Sequence, residues 1–428
     1  MNILLIGSGG REHAFAMQLS KSVHCSKLFI MPGNAGTASC GINVPMDPLN
    51  FTLVGKFCKD NEISLLVVGP EDPLVKGMRN HFEADDELKK IAFVGPDETG
   101  AQMEGSKDWS KAFMAKYQIP TAAYQTFNSS NLQEGIAYIQ NHSLPIVLKA
   151  DGLAAGKGVL ICEDRIEAEA ELNKMILENK FGSAGSKVVI EAFLKGIELS
   201  VFVLTDGTNY QILPSAKDYK RIGEGEKGLN TGGMGAISPV PFADDAFIQK
   251  VKNKIIEPTI HGLKQEGIHY VGFIFIGLMN VDGEPWVIEY NCRMGDPETE
   301  VVLPRIKTDL VSLMLATAQG NLNEIQLEVD SKVATTIMLV SGGYPEAFEK
   351  NKVMTGLEQV KGSTLYHAGT KLGSNNELLS NGGRVMAVTS LADTLKEALA
   401  MSNQNAGLVQ FENKYYRRDI GFEFVEQA

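Results

Sequence analysis

Over the first hundred residues, short apolar runs alternate with stretches compatible with helix. Residues 2–6, 27–31, 64–69 and 91–95 read as strands, each running into a turn that contains Gly or Pro. Residues 11–21 and the 76–90 region can supply helical crossovers. Strands alternating with helices predict a small parallel α/β domain whose ligands sit at the strand C-terminal ends.

From about residue 103 the pattern changes. A helix is predicted over 107–117, and an apolar run over 146–148 leads into Lys149. A Gly-rich turn follows, then a return strand over 159–162, a charged helix over 163–178 and a strand over 188–190. Two strands separated only by 152–158 predict a hairpin-like lid rather than a crossover. Further strands over 199–205, 271–279 and 286–290 are rich in aromatic and β-branched residues, and 309–319 reads as a closing helix. The last hundred residues are strand-rich, with strands over 334–340, 364–366 and 384–388 and a helix over 392–401. Neither repeats nor a low-complexity linker interrupt the chain.

Composition narrows the functional classes. With 428 residues, 44% of them hydrophobic and 21% charged, the chain has the balance of a soluble globular protein of several domains. A net charge of -12 argues against general binding to nucleic acid or anionic membrane, yet leaves room for an anionic ligand in a local pocket. The longest apolar runs are too short to span a bilayer. The opening MNILLIGSGG is too short and uncharged for a secretory signal. Five cysteines (Cys25, Cys40, Cys58, Cys162 and Cys292) are scattered without metal-ligand spacing, and the seven histidines show no H-x-x-x-H pair. They read as reduced packing residues in a cytoplasmic protein, not as a zinc site.

After the first strand, Gly7-Ser8-Gly9-Gly10-Arg11-Glu12 begins like a dinucleotide fingerprint. Glu12 occupies the third-glycine position, however, and no acidic residue ends the second strand. An anion site survives this objection, because glycines permit close backbone approach and a helix starting near Arg11 presents unpaired N–H groups. The plainer reading is a tight strand-to-helix turn.

Lys149 ends its strand just before Asp151-Gly152-Leu153-Ala154-Ala155-Gly156-Lys157-Gly158. A lysine entering from a strand offers a phosphate a fixed charge, and a pliable Gly/Ala loop can fold over it with backbone N–H donors. This is not a P-loop, because Gly158 replaces the Ser or Thr and the segment joins two strands. The strand over 188–190 runs into Glu191-Ala192-Phe193-Leu194, with Glu198 beyond. A strand end offers a purine both an apolar slot and backbone groups, and a nearby carboxylate can accept from ribose hydroxyls.

In Val287-Ile288-Glu289-Tyr290-Asn291-Cys292-Arg293, strand alternation puts Glu289, Asn291 and Arg293 on one face and Ile288 and Tyr290 on the other. Two converging oxygens suit Mg²⁺, which shares oxygen ligands between a few side chains and substrate phosphates. Arg293 could clamp an oxyanion or a carboxylate. The loop Asn230-Thr231-Gly232-Gly233-Met234-Gly235, preceded by Lys217-Asp218-Tyr219-Lys220-Arg221, suits an anionic substrate. Singly, each segment also reads as a wet strand face or an exposed loop.

Taken in order, these segments resemble the ATP-grasp superfamily, and within it the phosphoribosylamine–glycine ligases, or glycinamide ribonucleotide synthetases. The resemblance is carried by GSGGREHA (7–14), PGNAGT (32–37), VGPEDPLVKG (68–77), EGSK (104–107), LKADGLAAGKGV (148–159), NTGGMGA (230–236), VIEYNCRMGDPET (287–299), HAGTK (367–371), NGGRV (381–385) and RRDIG (417–421). It implies an α/β and α+β multidomain fold. Residues 1–103 would form an N-terminal Rossmann-like parallel-sheet domain. A two-part ATP-grasp region would follow over 104–328, with a lid subdomain at about 121–193, and a small strand-rich C-terminal domain over 329–428.

The resemblance also implies roles. Lys107, Lys149 and the loop of Gly156, Lys157 and Gly158 would contact nucleotide phosphates. Glu191, Ala192 and Leu194 would form the adenine hinge, and Glu198 would meet the ribose. Glu289 and Asn291 would hold magnesium, with manganese as a substitute, while Arg293 and Asp296 lie near glycine and the transferring phosphoryl group. Arg293, Lys149 and Asp296 are thus the catalytic candidates, and Gly9, Gly10, Arg11, Asp218 and Asn230 the further substrate contacts. One departure stands out: residues 273–279 lack the acidic metal ligand that many superfamily members carry on this strand.

The implied reaction is ATP-dependent joining of glycine to 5-phosphoribosylamine through glycyl phosphate, giving glycinamide ribonucleotide, ADP and phosphate in de novo purine biosynthesis. The implied protein is a cytoplasmic monomer with no nucleic-acid or membrane partner. The alternatives are another ATP-grasp ligase or carboxylase, a nicotinamide oxidoreductase, and a nucleotide-binding module without catalysis.

Overall fold

The structure is a computed structural model that describes residues 1–154, 158–178 and 180–425. The chain opens with β1 (Asn2–Gly7), α1 (Gly10–Leu19), β2 (Lys27–Pro32), β3 (Ile42–Asn43) and α2 (Phe51–Asp60). It continues through β4 (Ile63–Val68), α3 (Glu71–Val75), α4 (Met78–Glu83) and β5 (Ala92–Val94). These strands pair in parallel in the order β3-β2-β1-β4-β5. Ile3, Leu4, Leu5 and Ile6 are fully buried, as a central strand covered on both faces requires. The strand order reverses between β1 and β4, which places a crevice at the ends of these strands, beside Gly7 and Gly69. Both positions need glycine, because the Glu12 side chain crosses them: an added Cβ would lie 2.4 Å from Glu12 Cγ at Gly7 and 2.1 Å from Glu12 Oε1 at Gly69.

Helices α5 (Glu98–Gly105) and α6 (Lys107–Lys116) lead into a lid built from β6 (Tyr124–Asn128), α7 (Leu132–Asn141), β7 (Ile146–Ala150), β8 (Val159–Cys162), α8 (Arg165–Leu177) and β9 (Lys187–Ala192). Its antiparallel sheet runs β6-β9-β7-β8, and β7 and β8 form the predicted hairpin. Phe127, Ile139, Leu148, Leu172 and Val188 belong to a hydrophobic cluster separate from the main core.

The chain then forms β10 (Ile197–Thr205), β11 (Tyr210–Ile212), β12 (Lys217–Asp218), β13 (Arg221–Gly223), β14 (Lys227–Asn230) and β15 (Gly235–Ser238). Next come α9 (Asp245–Val251), α10 (Glu257–Gln265), β16 (Gly272–Val281), β17 (Glu284–Asn291), α11 (Thr299–Val302) and α12 (Leu310–Gln319). The last elements are β18 (Val333–Val340), β19 (Ser363–His367), β20 (Thr370–Leu372), β21 (Leu378–Ser380), β22 (Arg384–Ala392), α13 (Leu395–Leu408) and α14 (Phe422–Val425). One sheet runs β11-β10-β16-β17, and another runs β12-β15-β18-β22-β19. The second joins strands from the middle of the chain to those of its last hundred residues. Arg417, wholly buried, adds to this union: it donates to Glu226 Oε1 at 2.5 Å and to the Arg221 carbonyl at 3.1 Å, while Asp419 accepts from its Nε and Nη2. Among the described residues, no helix is long and apolar enough to cross a membrane.

Helices α2, α7 and α10 lie outside the helices expected from the sequence although their apolar residues line one face; each carries an interior glycine, which lowers helix propensity. Tertiary packing explains those glycines. A Cβ at Gly55 would meet Leu88 Cδ1 at 2.7 Å, one at Gly135 would meet Phe127 at 3.0 Å, and one at Gly262 would meet Phe113 at 2.7 Å.

Because the lid has its own core, Leu172→Ala, which removes a fully buried side chain, is expected to act locally. A loss of about 2–5 kcal/mol should accelerate hydrogen exchange in β6 to β9 and leave β1 and β4 unchanged. Equal acceleration in both sheets would show that the lid is not a separate cooperative unit.

Candidate active site

Strand β7 carries Lys149 into a buried position, 4% exposed, between two other elements. Its ammonium lies 3.1 Å from Glu191 Oε2 on β9 and donates to the Ile288 carbonyl on β17 at 3.0 Å. Lys111, on α6, reaches the same Glu191 oxygen at 3.0 Å and donates to Thr121 Oγ1 at 2.8 Å. Burial outweighs Glu191 and lowers the Lys111 pKa to about 8. Glu191 Oε1 is buried with no hydrogen-bond partner among the described residues. Two lysines on one carboxylate leave this corner with a positive excess, which suits a phosphate.

The start of the Gly-rich loop is tied to α6. Asp151 Oδ1 accepts from the Asp108 N–H at 2.8 Å and from Ser106 Oγ at 3.0 Å, and the Lys107 N–H donates to the Asp151 carbonyl at 3.1 Å. Lys107 Nζ donates to the Gly152 carbonyl at 3.3 Å. Burial, and next the charge of nearby Glu289, act on Lys107, with burial prevailing to lower its pKa. A hollow of about 330 Å³, lined in part by Asp151, Gly152, Leu153 and Lys187, opens at this point. Gly158 is buried and its carbonyl accepts from the Ala150 N–H at 2.8 Å. Gly156 and Lys157, expected above the phosphates, lie outside the described residues.

Strand β17 corrects one expectation. Its pairing with β16 is interrupted: Gly277 faces Glu289 while Leu278 faces Val287, which leaves Ile288 as a bulge. The extra residue breaks the two-residue alternation, so Ile288 and Tyr290 are not simple neighbours on one face. Pro285, Val287 and Tyr290 are the buried residues of β17, and Ile288 turns its carbonyl to Lys149. Glu289 and Asn291 lie beyond the bulge and keep the shared face. A Cβ at Gly277 would be 3.1 Å from Glu289 Cγ, so the strand lacking an acidic ligand offers Glu289 open space instead.

Arg293 is more enclosed than a free clamp. Its Nε donates to Glu71 Oε2 at 3.1 Å, its Nη2 to Glu104 Oε1 at 2.6 Å and its Nη1 to the Met294 carbonyl at 3.3 Å. Burial pushes Glu71 up, but Arg293 and Arg11 together draw it down to about 2. Arg11 is itself buried, with Nε on Glu12 Oε1 at 2.6 Å and Nη1 on the Met294 carbonyl at 3.1 Å. Glu12 Oε2 accepts the Gly9 N–H at 2.6 Å, so this carboxylate closes part of the first helix end. A Cβ at Gly9 would lie 3.2 Å from Asp296 Oδ2, and one at Gly10 would lie 2.3 Å from Glu300 Oε1. Arg384 holds Asp296 with Nη2 at 3.0 Å from Oδ1, and its Nη1 donates to the Asp296 and Gly232 carbonyls, each at 2.7 Å. Asn34 Nδ2 donates to the Ser8 carbonyl at 2.8 Å and the His367 carbonyl at 2.7 Å. The first loop, the GDPET turn and the C-terminal strands therefore meet in one place.

A third group surrounds Asp218. Lys220 Nζ is 3.0 Å from Glu198 Oε2, and Lys220 also senses Asp218 and Glu289. Burial raises the Asp218 carboxyl, opposed by Lys220. Asn230 pairs with Arg221 across β13 and β14, which brings the 230–235 loop back to the Arg384 cluster. Ala192 donates its N–H to the Ala123 carbonyl at 2.9 Å, and Leu194 follows as a half-buried residue at the exit of β9.

Comparison with known proteins places the whole chain in one family. Models of the phosphoribosylglycinamide synthetase N domain, ATP-grasp (A) domain and C domain match residues 1–104, 105–299 and 334–423. The chain belongs to the phosphoribosylglycinamide synthetase family. It is 43% identical over 433 residues to a phosphoribosylamine–glycine ligase of Yersinia pestis, with 100% of each chain covered. It is similar to the crystal structure of phosphoribosylamine–glycine ligase from Thermotoga maritima, with a TM-score of 0.84 and 34% identity over 98% of this chain and 100% of that one. A biotin carboxylase domain of Hydrogenobacter thermophilus 2-oxoglutarate carboxylase, solved with MgADP, ADP and bicarbonate, shares the fold. Its TM-score is 0.71 at 15% identity, over 97% of this chain and 91% of that one.

Several residues of this cluster escaped the sequence reading. Lys111 looks like one more lysine on a helix, and Glu71, Glu104, Glu298, Glu300 and Arg384 meet the site only through folding. The EGSK, GPED and NGGRV segments were the available signal for Glu104, Glu71 and Arg384. Glu300 is fully buried with neither oxygen hydrogen-bonded among the described residues, and burial raises its pKa, aided by Asp296.

Glu298 gives the site a measurable pH signature. Burial, reinforced by Asp218, raises its pKa to about 8 from an ordinary 4.5. The folded protein therefore holds a proton that the unfolded chain releases between these values. Stability should fall as pH rises from about 4.5 to about 8. Glu298→Gln should flatten that part of the melting-temperature profile; an unchanged slope would show that another group is responsible.

Proposed function

We propose that this protein uses ATP to join glycine to 5-phosphoribosylamine, giving glycinamide ribonucleotide, ADP and phosphate. The observation that carries this reading is the Lys149 ammonium on the Ile288 carbonyl, one residue before Glu289. This contact supports assigning a phosphate-binding charge and a cation-binding strand to one site. Family membership supports the substrates, and the names of the relatives agree with them.

In this reading Lys107, Lys149 and the Gly-rich loop face the triphosphate. The residues from Glu191 to Leu194 receive adenine, for whose amino group Glu191 Oε1 is an available acceptor. Glu198 would accept from the ribose hydroxyls. Glu289 and Asn291 offer a carboxylate and an amide oxygen, which fit a hard divalent cation such as Mg²⁺ or Mn²⁺. Bound there, the cation supplies charge neutralisation at the phosphate oxygens.

A glycine carboxylate oxygen attacks the γ-phosphorus, and the bond to the bridging oxygen breaks, with ADP taking the electron pair. Phosphoryl transfer of this kind asks the protein mainly for positioning and charge. Lys149 and Lys107 supply charge on the nucleotide side. Arg293, already neutralising Glu71 and Glu104, has further N–H donors for the glycyl end. The amine of phosphoribosylamine then attacks the acyl carbon of glycyl phosphate. Phosphate leaves with one former carboxylate oxygen, and the nitrogen loses a proton. Gly9, Gly10, Arg11, Asp218, Asn230 and Asp296 are assigned to the amine and glycine end, where the first loop meets the Arg384 cluster.

Glu289→Ala should lower turnover at saturating magnesium far more than tenfold, or more than about 1.4 kcal/mol of barrier. Near-normal turnover would remove its ligand role. Glycine labelled with ¹⁸O in its carboxylate should pass one labelled oxygen to the released phosphate. Unlabelled phosphate would exclude glycyl phosphate.

A further inference from the structure

We infer that Glu104 is a positioning residue for the cation site: it holds the Asn291 amide so that the amide oxygen faces away, onto the face shared with Glu289. The inference rests on the cation reading of Glu289 and Asn291 given above.

Glu104 lies at the end of α5, 7% exposed, and both of its oxygens accept hydrogen bonds. Oε2 takes the Cys292 N–H at 2.9 Å and the Cys292 thiol at 3.3 Å. Oε1 takes Arg293 Nη2 at 2.6 Å. The Asn291 amide is assigned by hydrogen-bond satisfaction: with its oxygen toward Glu104 it would face only acceptors, whereas exchanging oxygen and nitrogen lets the nitrogen donate to Glu104 Oε1 at 3.2 Å and to the Tyr290 carbonyl at 3.1 Å. Both neighbours are acceptors, so an amide oxygen in that place would be repelled.

The oxygen and nitrogen of an amide diverge from one carbon. Holding the nitrogen against Glu104 therefore sends the oxygen to the opposite side. The terminal torsion of asparagine is broad and close to two-fold, and without an acceptor behind it the amide could present N–H groups to a cation. As a carboxylate Glu104 only accepts, and Arg293 at 2.6 Å favours that form against the burial that raises its pKa, so the amide is held with its nitrogen inward. Its second oxygen holds the backbone at Cys292, the residue after Asn291, so the strand end and the side chain are set by one group. This is the way a buried partner orients a metal ligand from behind.

The role predicts a donor–acceptor swap. The readout is Mn²⁺ affinity in the full-length protein saturated with a non-hydrolysable ATP analogue, measured by water-proton relaxation. Glu104→Gln should weaken Mn²⁺ by about 10–100-fold, because a single amide oxygen cannot serve Cys292, Arg293 and Asn291 together. Asn291→Asp should weaken it comparably, although a carboxylate is ordinarily the stronger ligand, because it would face Glu104 with no proton between them. The double variant should bind at least about tenfold more tightly than either single one, since the new glutamine amide can donate to the new carboxylate.

Unchanged affinity in Glu104→Gln, or a double variant no better than the single ones, overturns the inference. If Glu104→Gln does not fold, Asn291→Asp decides alone, and equal or tighter Mn²⁺ binding overturns it. Failure of the wild-type nucleotide complex to bind Mn²⁺ would remove the cation reading and this inference with it, which separates the two failures.

Discussion

The Lys149 ammonium and the Ile288 carbonyl are held 3.0 Å apart, and much of the site's organisation follows from that contact. A buried ammonium costs several kcal/mol of lost hydration unless it is paired, on the order of the penalty for any desolvated ion. Glu191 supplies the pairing, and Lys111 and Thr121 tie the pair to α6 and the chain beyond it. The carbonyl becomes available because Ile288 bulges from the β16–β17 ladder. Beyond the bulge, regular pairing resumes and alternation puts Glu289 and Asn291 on one face, next to the lysine's position. Lid and central sheet are thereby joined by a charge, a carboxylate and one irregular strand end.

A second convergence acts just beyond the C-terminal end of β17. Arg293 sits between Glu71 of α3 and Glu104 of α5, so the strand cannot shift without breaking contacts to the N-terminal elements. Arg384 links Asp296 to Gly232, and Asn34 links the first Gly loop to β19. Four stretches distant in sequence thus close around Asp296 and the first Gly loop. Such enclosure suits chemistry in which a reactive acyl phosphate must meet an amine before water.

The sequence made part of this visible. Parallel strands with Gly- or Pro-rich ends, the β7–β8 hairpin and the Lys149 loop are local patterns, and local patterns survive without coordinates. Glu289 and Asn291 were legible as a two-apart pair. What the pattern could not carry was the bulge at Ile288, because no residue type marks the loss of one ladder partner. Lys111 was hidden for a different reason: on a helix surface it has the same spelling as a solvated lysine, and only packing against β9 makes it buried. Arg293 looked free because its partners, Glu71 and Glu104, lie far away in the chain. Helices with Gly55, Gly135 and Gly262 were missed because close packing, not helix propensity, selects those residues.

The central claim is that one strand end joins the nucleotide phosphates to the cation. A crystal structure with Mn²⁺ and a non-hydrolysable ATP analogue tests it most directly. The account predicts an anomalous manganese peak between Glu289 and Asn291, in contact with phosphate oxygens that also meet Lys149. A peak ligated elsewhere, or phosphates out of reach of Lys149, would contradict it.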